Sequence, residues 1–301
     1  MIKVGISGGD TSCAGELIRL LVNHPDVEII FVRAKGKGGV PLECVHHGLI
    51  GEISMNMTES ADLSAIDLLF IADSDPICSV EEYPDGLRVI DMCGGHKDCP
   101  AFVTGVSEAF RKPLVRGARF SRLVHPLASV AMVALFPPAL NLLLKDVSLS
   151  VQMSADLMEA ALAEEAVAEL SCLLRQVQLS FPGNVVLSGI TEGHGRGMRL
   201  TAEFSSAMSA EDIAALYEAV YDDHNFTFLT SRHCHRADVE GTNRILIHIS
   251  KPMPDKVVVD TVADARMRGG AGEAMHVMNL LFGLHEKTGL ALKASMYEKE
   301  Y

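Results

Sequence analysis

The sequence predicts an α/β protein, in which an N-terminal parallel sheet is followed by a C-terminal α+β domain. Three observations support this prediction. The chain opens with a strand, a glycine turn and a helix, continuous apolar runs recur along its first third, and apolar and polar residues alternate after residue 146. Its 301 residues reach the upper limit of one hydrophobic core, about 250–300 residues. We therefore expect two domains, one formed by residues 1–145 and 272–301 and the other by residues 146–271.

The opening unit carries the glycine turn. A strand is predicted at Ile2–Ile6, a small-residue turn at Ser7–Gly15 and a helix at Leu17–Val22. This order is typical of the first unit of a Rossmann-like, dinucleotide-binding domain, in which backbone N–H groups at the helix start face a pyrophosphate. Two glycines of a GxxGxxG spacing are replaced, by Thr11 and Ala14. The turn therefore indicates nucleotide binding, but its glycine pattern is incomplete.

A basic pair follows the second predicted strand. Arg33 and Lys35 lie near the position where NAD-specific folds place an acidic residue. A basic pair there suits the 2′-phosphate of NADP, NAD being the alternative, and a solvated loop is the competing interpretation. The cofactor-binding candidates in the two segments are Gly8, Gly9, Asp10, Thr11, Ser12, Cys13, Arg33 and Lys35.

The remaining elements divide into two groups. Continuous apolar runs, typical of strands covered on both faces, predict strands at Val27–Val32, Asp67–Ala72 and Leu87–Met92. Further strands are predicted at Val147–Met153, Gln176–Phe181, Asn184–Leu187, Met198–Phe204, Ile245–Ile249 and Lys256–Val262. Helices are predicted at Val130–Leu144, which Pro137 and Pro138 kink or end, at Ala155–Leu174, at Ala210–Tyr221 with Ser209 as N-cap, and at Gly272–Phe282.

Composition restricts the partners. The net charge of −13, with no basic stripe, argues against nucleic acid, and no apolar run approaches the roughly 18–20 residues that a membrane span needs. Seven cysteines at irregular spacing indicate free thiols, and the chain opens directly on a strand, so we expect no signal peptide and a cytoplasmic location. A small-molecule substrate is expected. A mixed or antiparallel sheet often packs against a copy of itself, so we also expect a homodimer or a homotetramer.

Several segments line up in order with one family. They are residues 3–25, the Val-Ile-Asp-Met-Cys-Gly of 89–94, the Val-Thr-Gly-Val-Ser-Glu of 103–108, the Asp-Val-Glu-Gly-Thr-Asn of 238–243, and 268–283 with its Arg-Gly-Gly-Ala-Gly-Glu-Ala opening. Together they resemble N-acetyl-gamma-glutamyl-phosphate reductases of the semialdehyde dehydrogenase superfamily. The resemblance implies an NADP-dependent reductase that converts an acyl phosphate to an aldehyde through a cysteine thioester and hydride transfer. It also makes Ala72, Ser74 and Asn279 cofactor-binding candidates.

The sequence departs from this family where the chemistry lies. The family's nucleophilic cysteine falls on Pro126, and the glycine before it falls on His125. The region of the family's acid/base histidine, residues 162–170 here, contains no histidine. Because a thioester requires a thiolate, we expect the thioester chemistry to be lost.

Other residues could have taken over. The candidates for a catalytic role are His125, Cys93 and Arg196, the last in a surviving Arg-Gly pair. Cys93, His96 and Cys99 have spacing that could suit a metal, as do the groups His233–His235 and Cys44–His47. Three hypotheses remain open: an oxidoreductase with altered chemistry, a non-catalytic relative that binds the cofactor or another subunit, and a metal-dependent variant.

Overall fold

The computed structural model describes residues 1–74, 77–154, 157, 160–192 and 195–294, with only the backbone of residues 160 and 161. The described chain forms two compact units. The first consists of Met1–Val124 and Gly270–Ala291, and the second of His125–Gly269 with the described residues from Leu292 onward. The boundary lies near residue 124 rather than 145, because the long helix after it packs within the second unit. The predicted range 272–301 extends beyond the described residues.

The described elements, in chain order, are as follows. The helices are α1 Ser12–Leu21, α2 Ser107–Val115, α3 Pro126–Leu140, α4 Ala160–Val177, α5 Ala210–Tyr221 and α6 Ala271–Leu281. The strands are β1 Ile2–Ser7, β2 Val27–Arg33, β3 Leu68–Ile71, β4 Arg88–Asp91, β5 Phe102–Thr104, β6 Phe120–Arg122, β7 Asp146–Met153, β8 Asn184–Glu192, β9 Gly197–Ser205, β10 Thr227–Thr230, β11 Ile245–Met253 and β12 Lys256–Asp264.

The first unit is built on a parallel sheet in the order β2-β1-β3-β4-β6-β5. Helix α6 packs against both α1 and α2. The strand order reverses between β1 and β3, and in open parallel sheets ligands bind outside the carboxyl ends of the strands at this reversal. The predicted Rossmann-like sheet is confirmed, and its reversal lies beside the glycine turn that follows β1.

The second unit contains a mixed sheet in the order β10-β11-β12-β9-β7-β8. The outer pairs β10–β11 and β7–β8 are parallel, and the inner pairs are antiparallel. Along β7 the buried residues Val147, Leu149 and Val151 alternate with half-buried Ser148 and Ser150. This period-2 pattern is typical of a sheet with one buried face. The opposite face is covered in part, because Cys234 and Val239 pack on Val262 of β12.

Two prolines lie near the end of α3 without breaking it. Pro137 and Pro138 have no N–H, so they cannot donate to the carbonyls four residues earlier. The hydroxyl groups of two tyrosines on α5 replace these donors. Tyr221 donates to the Val133 carbonyl and Tyr217 to the Ala134 carbonyl, each at 2.6 Å. The helix therefore continues to Leu140, beyond the prolines that were predicted to kink or end it.

Two predicted elements differ from the structure. No strand forms at Gln176–Phe181, because α4 runs to Val177 and the buried Gln178 side chain bonds both main-chain groups of Leu144. The helix predicted at Ala155–Leu174 begins at Ala160 in the described chain, and residues 155, 156, 158 and 159 lie outside the described residues. The helix at Ala210–Tyr221 with its Ser209 cap is confirmed.

Candidate dinucleotide-binding site and reaction residues

The glycine turn after β1 is closely packed at two positions. Gly8 has a φ of +75°, and a Cβ there would lie 2.7 Å from the backbone nitrogen of Asp73. At Gly9 a Cβ would lie 2.1 Å from Cγ1 of Val32. Only glycine fits either position, since real Cβ atoms do not approach other heavy atoms so closely. The turn is thus held against the ends of β2 and β3.

Thr11 replaces a glycine but closes the same turn. Its hydroxyl donates to the Gly8 carbonyl at 2.9 Å and accepts the Ala14 N–H at 3.1 Å, which makes it the N-cap of α1. Ser12 and Cys13 are then the first helical residues. The partial positive charge of a helix start favours an anion such as a phosphate. The substitution therefore preserves a capped helix start at the reversal point of the sheet.

The carboxyl ends of β1, β2 and β3 meet at Ser7. Arg33 donates to the Ser7 hydroxyl at 3.1 Å and to the Glu59 carbonyl at 3.1 Å. The Ser7 hydroxyl also lies 3.4 Å from Oδ1 of Asp73, a residue that the sequence analysis did not single out. The signal for Asp73 is its position directly after a buried strand. The structure thus brings the predicted Arg33 to the edge that carries Gly8.

The other predicted residues near this edge differ in exposure. Lys35 and Ser74 are exposed, whereas Ala72 is buried and donates its N–H to the Ser7 carbonyl at 2.9 Å. Asp10 is exposed and lies 3.7 Å from Nζ of Lys37. Three cationic side chains, at positions 33, 35 and 37, therefore follow one another at the end of β2 and in the glycine-rich loop beyond it.

Asn279 has a different surrounding from the one predicted. Its fully buried amide donates to the main-chain carbonyls of Glu286 at 3.0 Å and Thr288 at 2.9 Å, and its oxygen lies 3.1 Å from Nε2 of His24. Both amide hydrogens are therefore occupied by main chain. The side chain fixes the segment after α6, which does not support the predicted contact with a cofactor.

Asp91, at the end of β4, organises the loop that holds Cys93. Its fully buried carboxylate accepts the N–H groups of Cys93, Gly94 and His96 at 2.7–3.0 Å, and the Nδ1 of His96 lies 2.9 Å away. Cys93 is exposed as a residue, but desolvation of its thiol first, and Asp91 second, raise the pKa of the Cys93 thiol to about 12. Nucleophilic attack needs a thiolate, so this placement does not support Cys93 as a relocated nucleophile.

The metal-binding hypothesis receives no support from the loop geometry. The ring of His96 stacks on Phe102 at 4.3 Å, while Cys99 packs against the apolar cluster that contains Phe102. Within the segments that the structure describes, no three His, Cys, Asp or Glu side chains converge in a way that could hold a metal ion. Despite their spacing, Cys93, His96 and Cys99 therefore do not form a set of metal ligands in the described segments.

In the second unit, Pro126 and His125 begin α3. Pro126 is the first residue of the helix, where its missing N–H is of no consequence. Nδ1 of His125 accepts the Leu127 N–H at 3.2 Å, so the imidazole is the N-cap, and burial lowers the pKa of His125. The position of the family's cysteine is thus occupied by a helix start whose histidine is held in its neutral form.

Arg196 is paired with a buried carboxylate. Its Nε lies 2.8 Å from Oδ2 of Asp264, a fully buried residue that also accepts the N–H groups of Gly241 at 2.7 Å and Arg266 at 2.8 Å. Glu240 accepts the main-chain N–H of Arg196 at 2.9 Å. The Arg-Gly pair, the 238–243 segment and the turn after β12 therefore form one network inside the second unit.

Comparison with known proteins agrees with this architecture. Residues 3–116 match the family described as semialdehyde dehydrogenase, NAD binding domain. An N-acetyl-gamma-glutamyl-phosphate reductase of Parabacteroides distasonis is 31% identical over 99% of this chain and 100% of its own length, and that of Bacteroides thetaiotaomicron is 30% identical over the same shares. Among the helices of the described segments, none combines the length and hydropathy that a bilayer span requires.

Solved structures show the same fold at low identity. Aspartate semialdehyde dehydrogenase II of Vibrio cholerae superposes with a TM-score of 0.71 at 12% identity, covering 94% of this chain and 99% of that one. The enzyme from Candida albicans, determined with NADP, gives 0.69 at 14% identity, with 94% and 98% covered. Fold, matched domain and relatives agree on one class, the oxidoreductases of semialdehyde dehydrogenase type, which bind a nicotinamide dinucleotide. Within that class, the chain belongs to the N-acetyl-gamma-glutamyl-phosphate reductase family.

Proposed function

We propose that this oxidoreductase uses NADP(H) in preference to NAD(H). The observation that carries the proposal is the row of cations at the end of β2, where Arg33 is fixed beside Ser7 and Lys35 is exposed. A nicotinamide dinucleotide fits this edge, because the space at Gly8 and Gly9 excludes side chains and α1 begins there with a capped turn. When bound, the nicotinamide supplies or accepts a hydride, while Arg33 and Lys35 bind the 2′-phosphate.

Thermal shift tests the cofactor preference. NADPH is expected to raise the melting temperature more than NADH at equal millimolar concentration, because only NADPH carries the 2′-phosphate. In Arg33→Gln, the difference between the two cofactors should shrink while the NADH shift remains. A larger shift with NADH in the unmodified protein would contradict the preference, and no shift with either cofactor would contradict cofactor binding.

The reaction that we propose differs from the family's reaction in one step, the formation of a thioester. We infer that the protein acts on a small carbonyl or acyl substrate without a thioester at position 126, because Pro126 offers no nucleophile and His125 caps α3. The relatives' substrate, N-acetyl-gamma-glutamyl phosphate, should therefore not be reduced. NADPH oxidation with this substrate at an ordinary rate, on the order of 1–10³ s⁻¹, would contradict the inference.

A second candidate function is a non-catalytic, cofactor-binding relative. The observation that favours it is that both family reaction positions lack their chemistry while the glycine turn keeps its tight packing. Cofactor binding without hydride transfer to any of a panel of aldehydes and acyl phosphates would support this candidate. Turnover of one of them would support the first.

We also propose that the second unit associates with another copy of itself, as a homodimer or a homotetramer. Each edge strand of its mixed sheet carries an exposed apolar side chain, Val186 on β8 at 61% exposure and Phe228 on β10 at 40%. Sedimentation equilibrium measures the mass directly, and a monomer would contradict the proposal.

All seven cysteines are free thiols, which supports a cytoplasmic location.

A further inference from the structure

One histidine that the sequence analysis considered only as a possible metal ligand contacts the glycine turn directly. His46 belongs to the segment between β2 and β3, and its Nε2 lies 2.6 Å from the carbonyl oxygen of Gly9. Its ring covers Gly15 in the first turn of α1, where a Cβ would lie 2.5 Å from Nδ1. The absence of a side chain at Gly15 is what lets the imidazole approach the turn.

His46 holds the carbonyl of Gly9, and the N–H of Gly9, which belongs to the preceding peptide, is held as well. The Gly9 N–H donates to the Arg33 carbonyl at 2.8 Å, and the Gly9 carbonyl accepts a hydrogen bond from His46, since a carbonyl oxygen can only accept. A trans peptide is planar, with its C=O and N–H pointing in opposite directions. The N–H of Asp10 therefore points away from His46, and it meets no acceptor in the part of the chain that the structure describes.

His46 is itself held in place by main-chain bonds. Its N–H donates to the carbonyl of the fully buried Leu42 at 2.8 Å, and its carbonyl accepts the Leu49 N–H at 2.9 Å. The same segment is tied down by a bridge between Pro41 and Asn56. The backbone that carries the imidazole is therefore fixed, which also limits where the ring can lie.

We propose that His46 is a positioning residue for the dinucleotide, which orients the Gly9–Asp10 peptide so that the Asp10 N–H faces the pyrophosphate. This inference rests on the proposed cofactor binding. Backbone N–H groups at a helix start are the usual partners of a bound pyrophosphate, and each must be aimed in advance to contribute fully. His46 acts through the peptide it holds and makes no contact with the cofactor in this account.

Three variants test the proposal. His46→Gln keeps an N–H donor at a similar reach, whereas His46→Glu has the same shape but cannot donate when ionised. His47→Ala, at an exposed neighbouring position, is the matched control. Dissociation constants are measured by NADPH fluorescence and, by calorimetry, for adenosine 2′-monophosphate, which carries the 2′-phosphate without a pyrophosphate. Melting temperatures without ligand are recorded for each variant.

The expected result is selective. His46→Glu should weaken NADPH binding about tenfold, with His46→Gln and His47→Ala near the unmodified protein, and the affinity for adenosine 2′-monophosphate should be unchanged in all three. Unchanged NADPH affinity in His46→Glu would overturn the inference, as would an equal loss for both ligands or equal weakening in His46→Gln at an unchanged melting temperature. If the unmodified protein binds neither NADPH nor NADH, the proposed function itself fails, which is a distinct result.

Discussion

At the scale of single residues, the glycine turn after β1 is held by contacts within the turn and by one contact from the segment between β2 and β3. The sequence predicts the glycine turn at Gly8 but treats Thr11 only as a replaced glycine, whereas the structure makes Thr11 the N-cap of α1. By contrast, His46 and Gly9 are 37 positions apart, and their local sequence does not predict the hydrogen bond between them. The motif that contains Asn279 suggests a ligand contact, whereas its amide donates to two main-chain carbonyls that the sequence does not indicate.

A residue-scale prediction concerns the reactivity of Cys93. With the pKa of its thiol raised to about 12, Cys93 should be alkylated by iodoacetamide at pH 8 about a thousandfold more slowly than an ordinary thiol of pKa 9.0, because only the thiolate reacts. Cys172, which is exposed as Cys93 is, serves as the internal reference in a peptide-mapping time course. Asp91→Asn should speed the labelling of Cys93. Equal rates at the two cysteines would contradict the assignment of Cys93 as an unreactive thiol.

At the scale of elements, tertiary hydrogen bonds decide where helices end. The sequence predicts that Pro137 and Pro138 kink or end the helix at Val130–Leu144, and that Gln176–Phe181 form a strand. Both elements differ from these predictions because of distant partners, the tyrosines of α5 in one case and the Leu144 main chain in the other. The helix at Ala210–Tyr221 could be predicted within a residue because its cap is local.

The element-scale prediction is a coupling between α3 and α5. Tyr217→Phe should lower the free energy of unfolding by about 1–3 kcal/mol, because it leaves the buried Ala134 carbonyl without a donor. In a Pro138→Ala background the loss should be smaller, since the residue introduced at position 138 can donate its own N–H to that carbonyl. Urea denaturation of the four proteins in this cycle gives both numbers, and strict additivity would contradict the account.

At the scale of the whole molecule, the two-domain α/β architecture could be predicted, but the boundary could not. Residues 125–145 read as a continuation of the apolar first half, and only the packing of α3 on α4 and α5 assigns them to the second unit. The family could be recognised from motifs spread along the chain. The chemistry could not, because the positions that define it in the family carry other residues here.

The pH dependence of stability is a prediction for the whole molecule. Although burial acts in the opposite direction, hydrogen bonds from His276 and Arg111 hold the pKa of Glu286 at about 2, compared with 4.5 in an unfolded chain. The stability from this group is therefore complete above about pH 4.5 and is lost as the pH falls toward 2. Burial also lowers the pKa of His24 and His125, so each opposes stability once the pH falls below 6.5.

The measurement compares the unmodified protein with Glu286→Gln. The variant should melt at a lower temperature at pH 7, and its melting temperature should decline less between pH 5 and pH 3. His285→Gln, next to the network, serves as the control. Parallel curves for the unmodified protein and Glu286→Gln would show that the ion pairs of Glu286 do not contribute to stability.

The tyrosine hydroxyls that complete α3 also bear on how the chain folds during synthesis. Tyr217 follows Ala134 by 83 positions, and Tyr221 follows Val133 by 88. At about 5–20 residues per second, several seconds of translation separate the last turn of α3 from the hydroxyls that complete it. During that interval, water must hydrate the two carbonyls on the emerging chain. The end of α3 can therefore form its full set of hydrogen bonds and join the core only after α5 has left the ribosome.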